Sequence, residues 1–565
     1  MLVVAFTAWQ AFRARDALQQ VAGDFEALAG SLSSGDGAGA RERLGDAQDE
    51  AARAAGSTVG PGWWLGAHLP WIGDDIDAVR TVAHVADGLA SDALPGVLSS
   101  AEVLDPGELR PVDGRVDLQP LEDVAPAVVR AARVVVGLEA ETARLDPDGM
   151  VPQVAGPVTQ LQDRIAEAAD LADRASRAVR LMPPMLGADG PRRYVLMFQN
   201  SAEARSTGGI PGAFAVIEAD DGRVQLAGQS DAGRLGRFPR PVVRLTDEEQ
   251  RLFGAGLARF PQDVNLTPDF PRTAQIVRAM WQERYGEELD GVLSTDPVAL
   301  SQLLGGTGPV QVGDRTVDAG NAVDLLLRDT YAEVQEAGDQ NQFFDLVARS
   351  VFQAVVAGQG EARAVLDGLT RSVQERRTLV WSARPEEERV LRPTVLSGAF
   401  PQRVTAQPQV GVYANAALPY KLDYYVDRST DVEAAWCRTD RQRLVVTVRL
   451  SSNVPQDPST LPFYVAPDNL QAFDQGTVAQ TLYLALPAGA RVTTMKVDGQ
   501  EVTPQRTTFA SRPLVVRSVS LAPGESRKIV LALVTAPGQV GDPVLQTTPG
   551  ATSSGVGAVS ASACS

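Results

Sequence analysis

Apolar residues recur at spacings of three and four along much of the N-terminal third of the chain, as they do on one face of an α-helix. One such series begins shortly after residue 13, and another ends shortly before residue 182. The first consists of Leu18, Val21, Phe25, Leu28 and Leu32, and the second of Val158, Leu161, Ile165, Ala168, Ala172, Ala175 and Val179. We expect residues 13–182 to form a mainly helical stalk or bundle.

From Arg192 the pattern changes to short apolar runs that alternate with helical stretches. Tyr194–Phe198 is a continuous apolar run, typical of a strand buried on both faces. Asp220-Asp221-Gly222 predicts a turn between two further strands, Gly212–Glu218 and Arg223–Ala227. The later elements are helices at Pro271–Tyr285, Pro297–Leu304, Asn321–Val334 and Phe343–Leu369, and strands at Gly291–Thr295 and Pro309–Val312. This alternation predicts a layered α/β core domain over residues 185–400.

Past about Thr405 the helical signals fade, and strand-like runs follow one another at short intervals. They are Leu444–Leu450, Gln480–Leu486, Val492–Val497, Leu514–Val519 and Lys528–Val534. Turns such as Asp498-Gly499 and Pro523-Gly524 separate some of them. We expect a β-sandwich domain over residues 405–540, followed by a Ser/Gly-rich tail over 541–565.

The first twelve residues, Met1–Phe12, are almost entirely apolar. A membrane-spanning helix needs about 20 apolar residues, so this run resembles the outer half of a truncated signal anchor. The alternative is the buried start of a soluble helix. An anchor predicts a single-pass protein of the cell membrane with its bulk on the extracytoplasmic side. Trp63, Trp64 and Trp71 are then either packing residues or residues at the membrane interface.

Charge and rare residues exclude several classes of function. The net charge of −18 argues against nucleic-acid binding, which depends on neutralising phosphates. The only histidines, His68 and His84, precede the α/β core, so a Ser–His–Asp mechanism there has no local base. For an exported protein we expect Cys437 and Cys564 to form a disulfide. Two unrelated thiols are the alternative.

Arginines and glycines near the predicted hairpin suggest an anion site. Arg205 is followed by Gly208 and Gly209, which would let the backbone approach a ligand closely. The acid-free segment Ala232–Arg244 contains four more arginines: Arg234, Arg237, Arg240 and Arg244. Because strand-end loops of α/β sheets bind ligands, we expect Arg205, Arg237 and Arg240 to converge on an anion or pyrophosphate, beside Asn200. The alternatives are solvated arginines, with Asn200 and Glu203 as turn-forming residues.

Oxygen ligands for a metal ion are less well defined. Asp263, Asn265, Asp269 and Asp296 could offer oxygens to Mg²⁺, with Asp263 and Asp269 the weak candidates for the site. Asp269 directly precedes Phe270-Pro271 and a predicted helix, so a helix N-cap is its simpler role. No Walker loop or HExxH motif occurs. The sequence identifies no catalytic residue.

Several segments resemble the signature of the domain of unknown function 4012 family. The most specific runs from Phe198 to Gly212 (FQNSAEARSTGGIPG). The others are Pro70–Gly73, Asn265–Pro271, Asp290–Val292 with Asp296-Pro297, and Tyr420–Tyr425. The resemblance covers nearly the whole chain. It implies a membrane-anchored protein of the actinobacterial type, without an established activity.

More distantly, the order of strand, arginine loop and hairpin resembles the LytR–CpsA–Psr family, which transfers glycopolymers from polyprenyl-pyrophosphate carriers to peptidoglycan. The resemblance implies that Arg205, with Arg237 or Arg240, clamps the pyrophosphate. That family has an Asp metal ligand after the Arg-Ser pair, where this chain has Thr207. Two hypotheses follow: a non-catalytic or degenerate binding protein for envelope glycans or polyprenyl-phosphate-linked ligands, and a glycopolymer phosphotransferase.

Overall fold

The computed structural model divides the chain into two compact units. The first comprises residues 1–110 and 116–190, and the second comprises residues 111–115 and 191–565. The structure describes residues 16–17, 20–21, 23–28, 30–31, 36–69, 72–101, 107, 110–334, 336–402, 404–470, 472–552, 555 and 557–564. The predicted anchor, Met1–Phe12, lies outside the described residues, as does Trp71.

The first unit is helical. Its helices are α1 (Gly37–Ser57), α2 (Pro61–Gly66), α3 (Gly73–Gly88), α4 (Leu94–Ala101), α5 (Gln119–Thr142) and α6 (Pro152–Met185), and a π-helix, Leu89–Ala93, joins α3 to α4. Val85 of α3, Leu138 of α5 and Ile165 of α6 share one buried apolar cluster, as the three-four spacing predicts. Among the residues that the structure describes, no helix combines the length and apolar character needed to cross a bilayer.

The second unit begins with a mixed five-stranded sheet in the order β3-β2-β1-β4-β7. Its strands are β1 (Arg192–Arg205), β2 (Gly208–Asp220), β3 (Arg223–Asp231), β4 (Gly291–Thr295) and β7 (Leu379–Ser382). β1 and β4 are parallel, and the other pairs are antiparallel. Asp221 and Gly222 both have positive φ, 47° and 78°, the geometry that favours Asp-Gly in a two-residue hairpin turn. Arg115, which lies inside the predicted helical region 13–182, forms a β-bridge with Arg223 at the start of β3.

Helices and a small hairpin cover this sheet. They are α7 (Ala232–Leu235), α8 (Asp247–Phe253), α9 (Phe270–Tyr285), α10 (Pro297–Thr307), β5 (Val310–Val312), β6 (Arg315–Val317), α11 (Ala322–Asp324), α12 (Thr330–Glu333), α13 (Ala337–Val356), α14 (Ala362–Gln374) and α15 (Pro385–Leu391), with a π-helix, Leu325–Asp329, between α11 and α12. α9 packs on the sheet in a common core that includes Met197, Val277 and Trp381.

One helix prediction was wrong. The segment Phe343–Leu369 was expected to be a single helix, but α13 ends at Val356 and α14 begins at Ala362. Gly358 and Gly360 between them have φ of 64° and 78°, which glycine adopts without steric cost. The two glycines therefore reverse the chain where apolar periodicity alone suggested continuity.

The C-terminal part of the second unit is built from two sheets. Their strands are β8 (Gln409–Ala416), β9 (Val426–Arg438), β10 (Arg441–Ser452), β11 (Val478–Ala485), β12 (Arg491–Val497), β13 (Gln500–Glu501), β14 (Gln505–Phe509), β15 (Arg512–Leu521), β16 (Ser526–Val534), β17 (Val544–Thr547) and β18 (Ala558–Val559). The strand orders are β13-β12-β16-β10-β9-β18 and β14-β15-β11-β8-β17. One buried apolar cluster takes side chains from both sheets, among them Val412, Val446, Leu482 and Leu531.

The predicted tail, residues 541–565, is partly ordered into these sheets. β17 pairs with β8, and β18 pairs with β9. The sulfurs of Cys437, near the end of β9, and Cys564 form a disulfide across a sequence separation of 127 residues. The chain as a whole is a mixed α/β protein with a helical N-terminal region and a sheet-rich C-terminal region. The predicted boundary near residue 400, inside the second unit, stays a prediction.

Candidate functional site

A cavity of about 230 Å³ opens at the carboxyl end of β4, beside residues 198–200 of β1. Phe198 of β1 is paired with Thr295, the last residue of β4, and Pro297 at the start of α10 lines the cavity. Its walls are mainly apolar and include Ile210, Leu300 and Phe344. Ligands of α/β folds usually bind at the carboxyl ends of strands, so this cavity is the candidate functional site.

One wall of the cavity is aromatic. The rings of Tyr331 and Tyr464 are stacked with their centroids 5.7 Å apart, and Phe344 meets Tyr331 edge-on. The side-chain amide of Asn200 donates a hydrogen bond to the hydroxyl of Tyr331. Burial raises the pKa of Tyr331 well above its usual range, so its phenol stays neutral. The hydroxyl of Tyr331 is therefore neutral and already hydrogen-bonded.

Lys421 and Asp231 are charged residues that line the cavity, and Lys421 lies beside this wall. Its Nζ lies 2.5 Å from Oε2 of Glu203 and 5.6 Å from the centroid of Tyr464. The other oxygen of Glu203 accepts a hydrogen bond of 2.9 Å from Arg205. Arg205 also lies 3.8 Å from a carboxylate oxygen of Asp263. The two cations are thus matched by two carboxylates in a largely buried network.

Asp423, two residues after Lys421, holds the backbone of β1 next to this network. Its carboxylate accepts hydrogen bonds of 2.6 Å from the backbone N–H of Ala204 and from the side chain of Gln480. Burial is the largest influence on Asp423 and raises its pKa to about 6, against the lowering effect of these hydrogen bonds. Arg428 also lowers the pKa of Asp423, and Glu203 raises it.

An irregularity in β1 places these groups. Pairing with β2 is interrupted between Asn200 and Ala204, so the intervening residues, including Glu203, have no partner on β2. Gly209 makes the hairpin fit, because a Cβ there would lie 2.1 Å from the carbonyl of Asn200. The close approach expected of Gly209 is to the protein's own backbone, and Gly208, with φ of 148°, completes the same turn. The prediction that Arg205 belongs to a loop was wrong, because β1 continues through these polar residues to Arg205.

Below the hairpin, polar side chains form a buried network centred on Gln199. The oxygen of Gln199 accepts hydrogen bonds from Thr207 (2.8 Å) and Asn265 (2.7 Å), and its nitrogen donates to Ser294 (3.1 Å). The side-chain nitrogen of Asn265 also donates to the carbonyl of Gly209. Asn265, a predicted oxygen ligand for Mg²⁺, therefore acts as a donor that holds the hairpin.

The other predicted metal ligands have separate structural partners. Asp269 stands at the N-cap position of α9, but its carboxylate accepts from the backbone of Phe400 instead of capping the helix. Asp296 caps α10 through the N–H of Ala299 and accepts a hydrogen bond of 2.8 Å from Arg377. Among the described residues, no group of three or more acidic, histidine or cysteine side chains is arranged to hold a metal ion.

The arginines of the acid-free segment are placed differently from Arg205. Arg237 is exposed, and its guanidinium carbon lies 5.4 Å from the ring centroid of Phe260. Arg240 is also exposed. Within the described ranges, Arg205 shares no hydrogen-bond or ion-pair partner with either of them. The structure thus groups Asn200, at the cavity, with Glu203 and Arg205, and leaves Arg237 and Arg240 outside this group.

Sequence reasoning missed the residues that give the cavity its character, namely Lys421, Tyr331, Phe344 and Tyr464. Lys421 carried a usable signal, because it is one of only three lysines in a chain that otherwise uses arginine. The aromatic residues carried none, since their segments are far apart in sequence and meet only in the folded chain.

Comparison with protein families gives one match. Residues 189–331 match the family described as "Protein of unknown function (DUF4012)". The searches of curated proteins and of solved structures found no match.

The DUF4012 region runs from β1 into α12. It supplies most of the residues that line the cavity, including Asn200 and Tyr331. Lys421 and Tyr464 come from beyond it. Three of the segments that resemble the DUF4012 signature, Phe198–Gly212, Asn265–Pro271 and Tyr420–Tyr425, meet at the β1–β2 hairpin, where Asn265 holds Gly209 and Lys421 holds Glu203. Those motifs therefore share a structural role in building the hairpin beside the cavity.

Proposed function

We propose that this is a membrane-anchored cell-envelope protein that binds polyprenyl-phosphate-linked envelope ligands without catalysis. The cavity would hold part of the ligand's apolar chain. The observation that carries this proposal is the cavity at the carboxyl end of β4, beside β1, whose walls are mainly apolar and aromatic. Burying apolar ligand surface against such walls contributes roughly 25 cal/mol per Å².

The polar groups around the cavity support an apolar ligand. Asn200 is hydrogen-bonded to Tyr331, and the ammonium of Lys421 is neutralised by Glu203. Buried polar groups that already have partners gain little from a new one, so binding energy comes mainly from apolar contact. We place the phosphate or glycan end of the ligand outside the cavity.

The alternative, a LytR–CpsA–Psr-like phosphotransferase, has less support. Clamping a pyrophosphate requires guanidinium groups that are free to pair with phosphate oxygens. Arg205 is instead paired with Glu203 and lies near Asp263. Its Nε has no hydrogen-bond partner among the described residues, but that atom is buried.

The finer architecture belongs to the same proposal. We infer that the two C-terminal sheets form a β-sandwich, because their facing strands share one apolar cluster. We also infer a LytR–CpsA–Psr-like arrangement of the core from its hairpin and parallel pair, β1 and β4. An exported, single-pass membrane protein is consistent with the disulfide between Cys437 and Cys564.

Gly212 offers a direct test. It lines the cavity, and a Cβ at this position would meet no atom within 4 Å, so Gly212→Leu should fill the cavity without a backbone clash. Gly228→Leu is the matched control, since Gly228 is half-buried in the neighbouring strand β3, outside the cavity lining, and its Cβ would make ordinary contacts with Val216.

Binding of farnesyl phosphate and of farnesol would be measured by calorimetry. We expect both compounds to bind the wild type, and Gly212→Leu to weaken both at least about tenfold, or 1.4 kcal/mol. Gly228→Leu should leave both affinities unchanged. Binding of farnesyl phosphate alone, abolished by Arg205→Ala, would favour the phosphotransferase-like anion site. Binding of neither compound would refute the proposed ligand.

A further inference from the structure

The helical unit exposes large apolar side chains between α1 and α3, within the described residues 59–69 and at Ile72. Five large apolar side chains are 45–62% exposed: Val59, Trp64, Leu65, Leu69 and Ile72. No Asp, Glu, Lys or Arg occurs from Gly60 to Gly73. In a chain in which 22% of residues are charged, a segment that is both exposed and free of these charges marks an interaction surface.

The exposure belongs to an ordered element. Trp63, on α2, is only 3% exposed and anchors the helix to the unit. Its neighbour Trp64 points away, and its ring lies 4.6 Å from that of His68. Nδ1 of His68 is 2.8 Å from the carbonyl of Trp64. Trp64 and Leu65 are therefore presented on a short helix that Trp63 holds in place, and Leu69 and Ile72 follow it in the chain.

The segment lies at the end of the helical unit from which the preceding chain enters. Ala17 packs with Ala54 near the end of α1 and with Ala83 of α3. Further along the chain, Val21 packs with Ala51 and Ala86. From Ala17 to Val21 the chain therefore runs toward the start of α1 and toward the end of α3. α3 begins at Gly73, ten residues or about 15 Å along the helix before Ala83. The start of α3 therefore extends about 15 Å past Ala17, on the side from which the chain enters.

The apolar run Met1–Phe12 precedes this end of the unit in the sequence. Arg13–Arg15 connect the run to the first described residues. At no more than about 3.6 Å per residue, Phe12 lies within about 18 Å of Ala17. An apolar run that enters a bilayer would therefore bring residues 59–69 and Ile72 close to the same bilayer.

We propose that residues 59–69 and Ile72 form a membrane-contact surface that seats the helical unit on the lipid interface. This inference rests on the membrane attachment in the proposed function. Trp and Leu favour the region between headgroups and acyl chains, where an amphipathic ring or an apolar side chain leaves water. The surface holds the helical unit against the bilayer, whereas the apolar N-terminal run alone would only tether it.

The charges around this surface predict which lipids it accepts. Asp75, in the first turn of α3, accepts a hydrogen bond from the N–H of Val151, which places the loop before α6 at this end. Asp74 and Asp148 are exposed carboxylates at the same end, Asp74 lying next to Gly149. Carboxylates do not attract anionic headgroups, so the contact is apolar, and we expect little dependence on anionic lipid or on salt.

The test uses a single environment-sensitive fluorophore on the full chain. Both native cysteines are in the disulfide, so an introduced cysteine is labelled alone under non-reducing conditions. Leu65→Cys places the label on the surface. Leu171→Cys is the matched control, because Leu171 is at least as exposed as Leu65 but lies twenty residues along the chain from Val151, or about 30 Å along α6. Each protein is mixed with phosphatidylcholine vesicles, with and without phosphatidylglycerol.

We expect vesicles to shift the emission of the Leu65→Cys label to shorter wavelength, equally with both lipid compositions, and to leave the Leu171→Cys label unchanged. Adding Trp64→Ser and Leu69→Ser should abolish the shift while the full chain still floats with the vesicles. Flotation without a shift at position 65 would overturn the contact surface alone. Failure to float would refute the membrane attachment, and the farnesol experiment would still test the cavity.

Discussion

The ammonium of Lys421 lies 2.5 Å from a carboxylate oxygen of Glu203, and both side chains are buried. Glu203 can reach Lys421 because it lies in the interrupted part of β1, where it has no partner on β2. Lys421 directly precedes the segment Leu422–Tyr425, which leads into β9. The pair therefore joins the β1–β2 hairpin to that segment. A pair of this kind contributes to stability only while both partners remain, since either one alone would be a buried, uncompensated charge.

Glu203→Gln should destabilise the protein by about 3–5 kcal/mol, because it removes the shared carboxylate of Lys421 and Arg205. The measurement is the free energy of unfolding in urea at neutral pH. Lys421→Met should cost less, since Glu203 keeps Arg205 as a partner. The exposed pair Arg449–Asp431 supplies the control, and Asp431→Asn should change the free energy by less than about 1 kcal/mol. Equal small losses at both sites would contradict a buried pair.

Stability should fall as the pH rises from about 4 to about 6, through the titration of Asp423. Burial raises its pKa in the folded protein to about 6, above the value near 3.9 in an unfolded chain, so the folded state holds the proton more tightly. The contribution of Asp423 is therefore complete below about pH 4 and lost above about pH 6. The loss amounts to about 2–3 kcal/mol.

Asp423→Asn isolates this contribution. Its side chain can still accept from Ala204, and its amide can donate to the oxygen of Gln480, which has no partner among the described residues. The unfolding free energy of the wild type minus that of the variant should fall by the stated amount as the pH rises, because only the wild type titrates at this position. Burial also raises the pKa of Glu388, to about 7. Glu388 is present in both proteins, so its contribution cancels in the difference. A constant difference across this range would show that Asp423 does not titrate there.

Gly209→Ala should be among the most damaging single substitutions in the core, at about 3 kcal/mol or more. The added Cβ would lie 2.1 Å from the backbone of Asn200, which cannot move aside without breaking the hairpin. Gly305→Ala in α10 is the control, because its Cβ would meet no atom within 4 Å. There alanine should stabilise the helix by about 0.5–1 kcal/mol. Thermal unfolding of the two variants checks both expectations.

Loss of the disulfide should loosen the C-terminal sheets. The bond closes a loop with a sequence separation of 127 residues, for which loop-closure entropy gives roughly 4–5 kcal/mol. Cys437→Ser and Cys564→Ser should each lower the unfolding free energy by about this amount, and the double variant should cost no more than either. Thiol counting on the unfolded, non-reduced wild type should find no free cysteine. Two free thiols would mean that the bond does not form.

Local patterns in the sequence predicted the elements whose own residues decide their conformation. The hairpin turn at Asp221-Gly222 and the strand Gly291–Thr295 follow from turn chemistry and from short apolar runs. β9 was missed because its residues, VDRSTDVEAAWCR, carry polar side chains along the solvated face of a sheet. The pairing of Cys437 with Cys564 was predicted from their number and from the expected compartment, and the folded chain supplies the proximity.

The site depended on contacts between distant segments. Sequence reasoning selected Asn200, Arg205 and Gly209 as chemically notable, but it assigned them to ligand binding. In the folded chain Arg205 is matched by Glu203, and Gly209 fits against Asn200. Turns, periodicity and composition act over a few residues, so the sequence by itself determined most helices and strands. Whether a charge is paired or free depends on residues more than two hundred positions away, as for Glu203 and Lys421, and only the tertiary structure decided that.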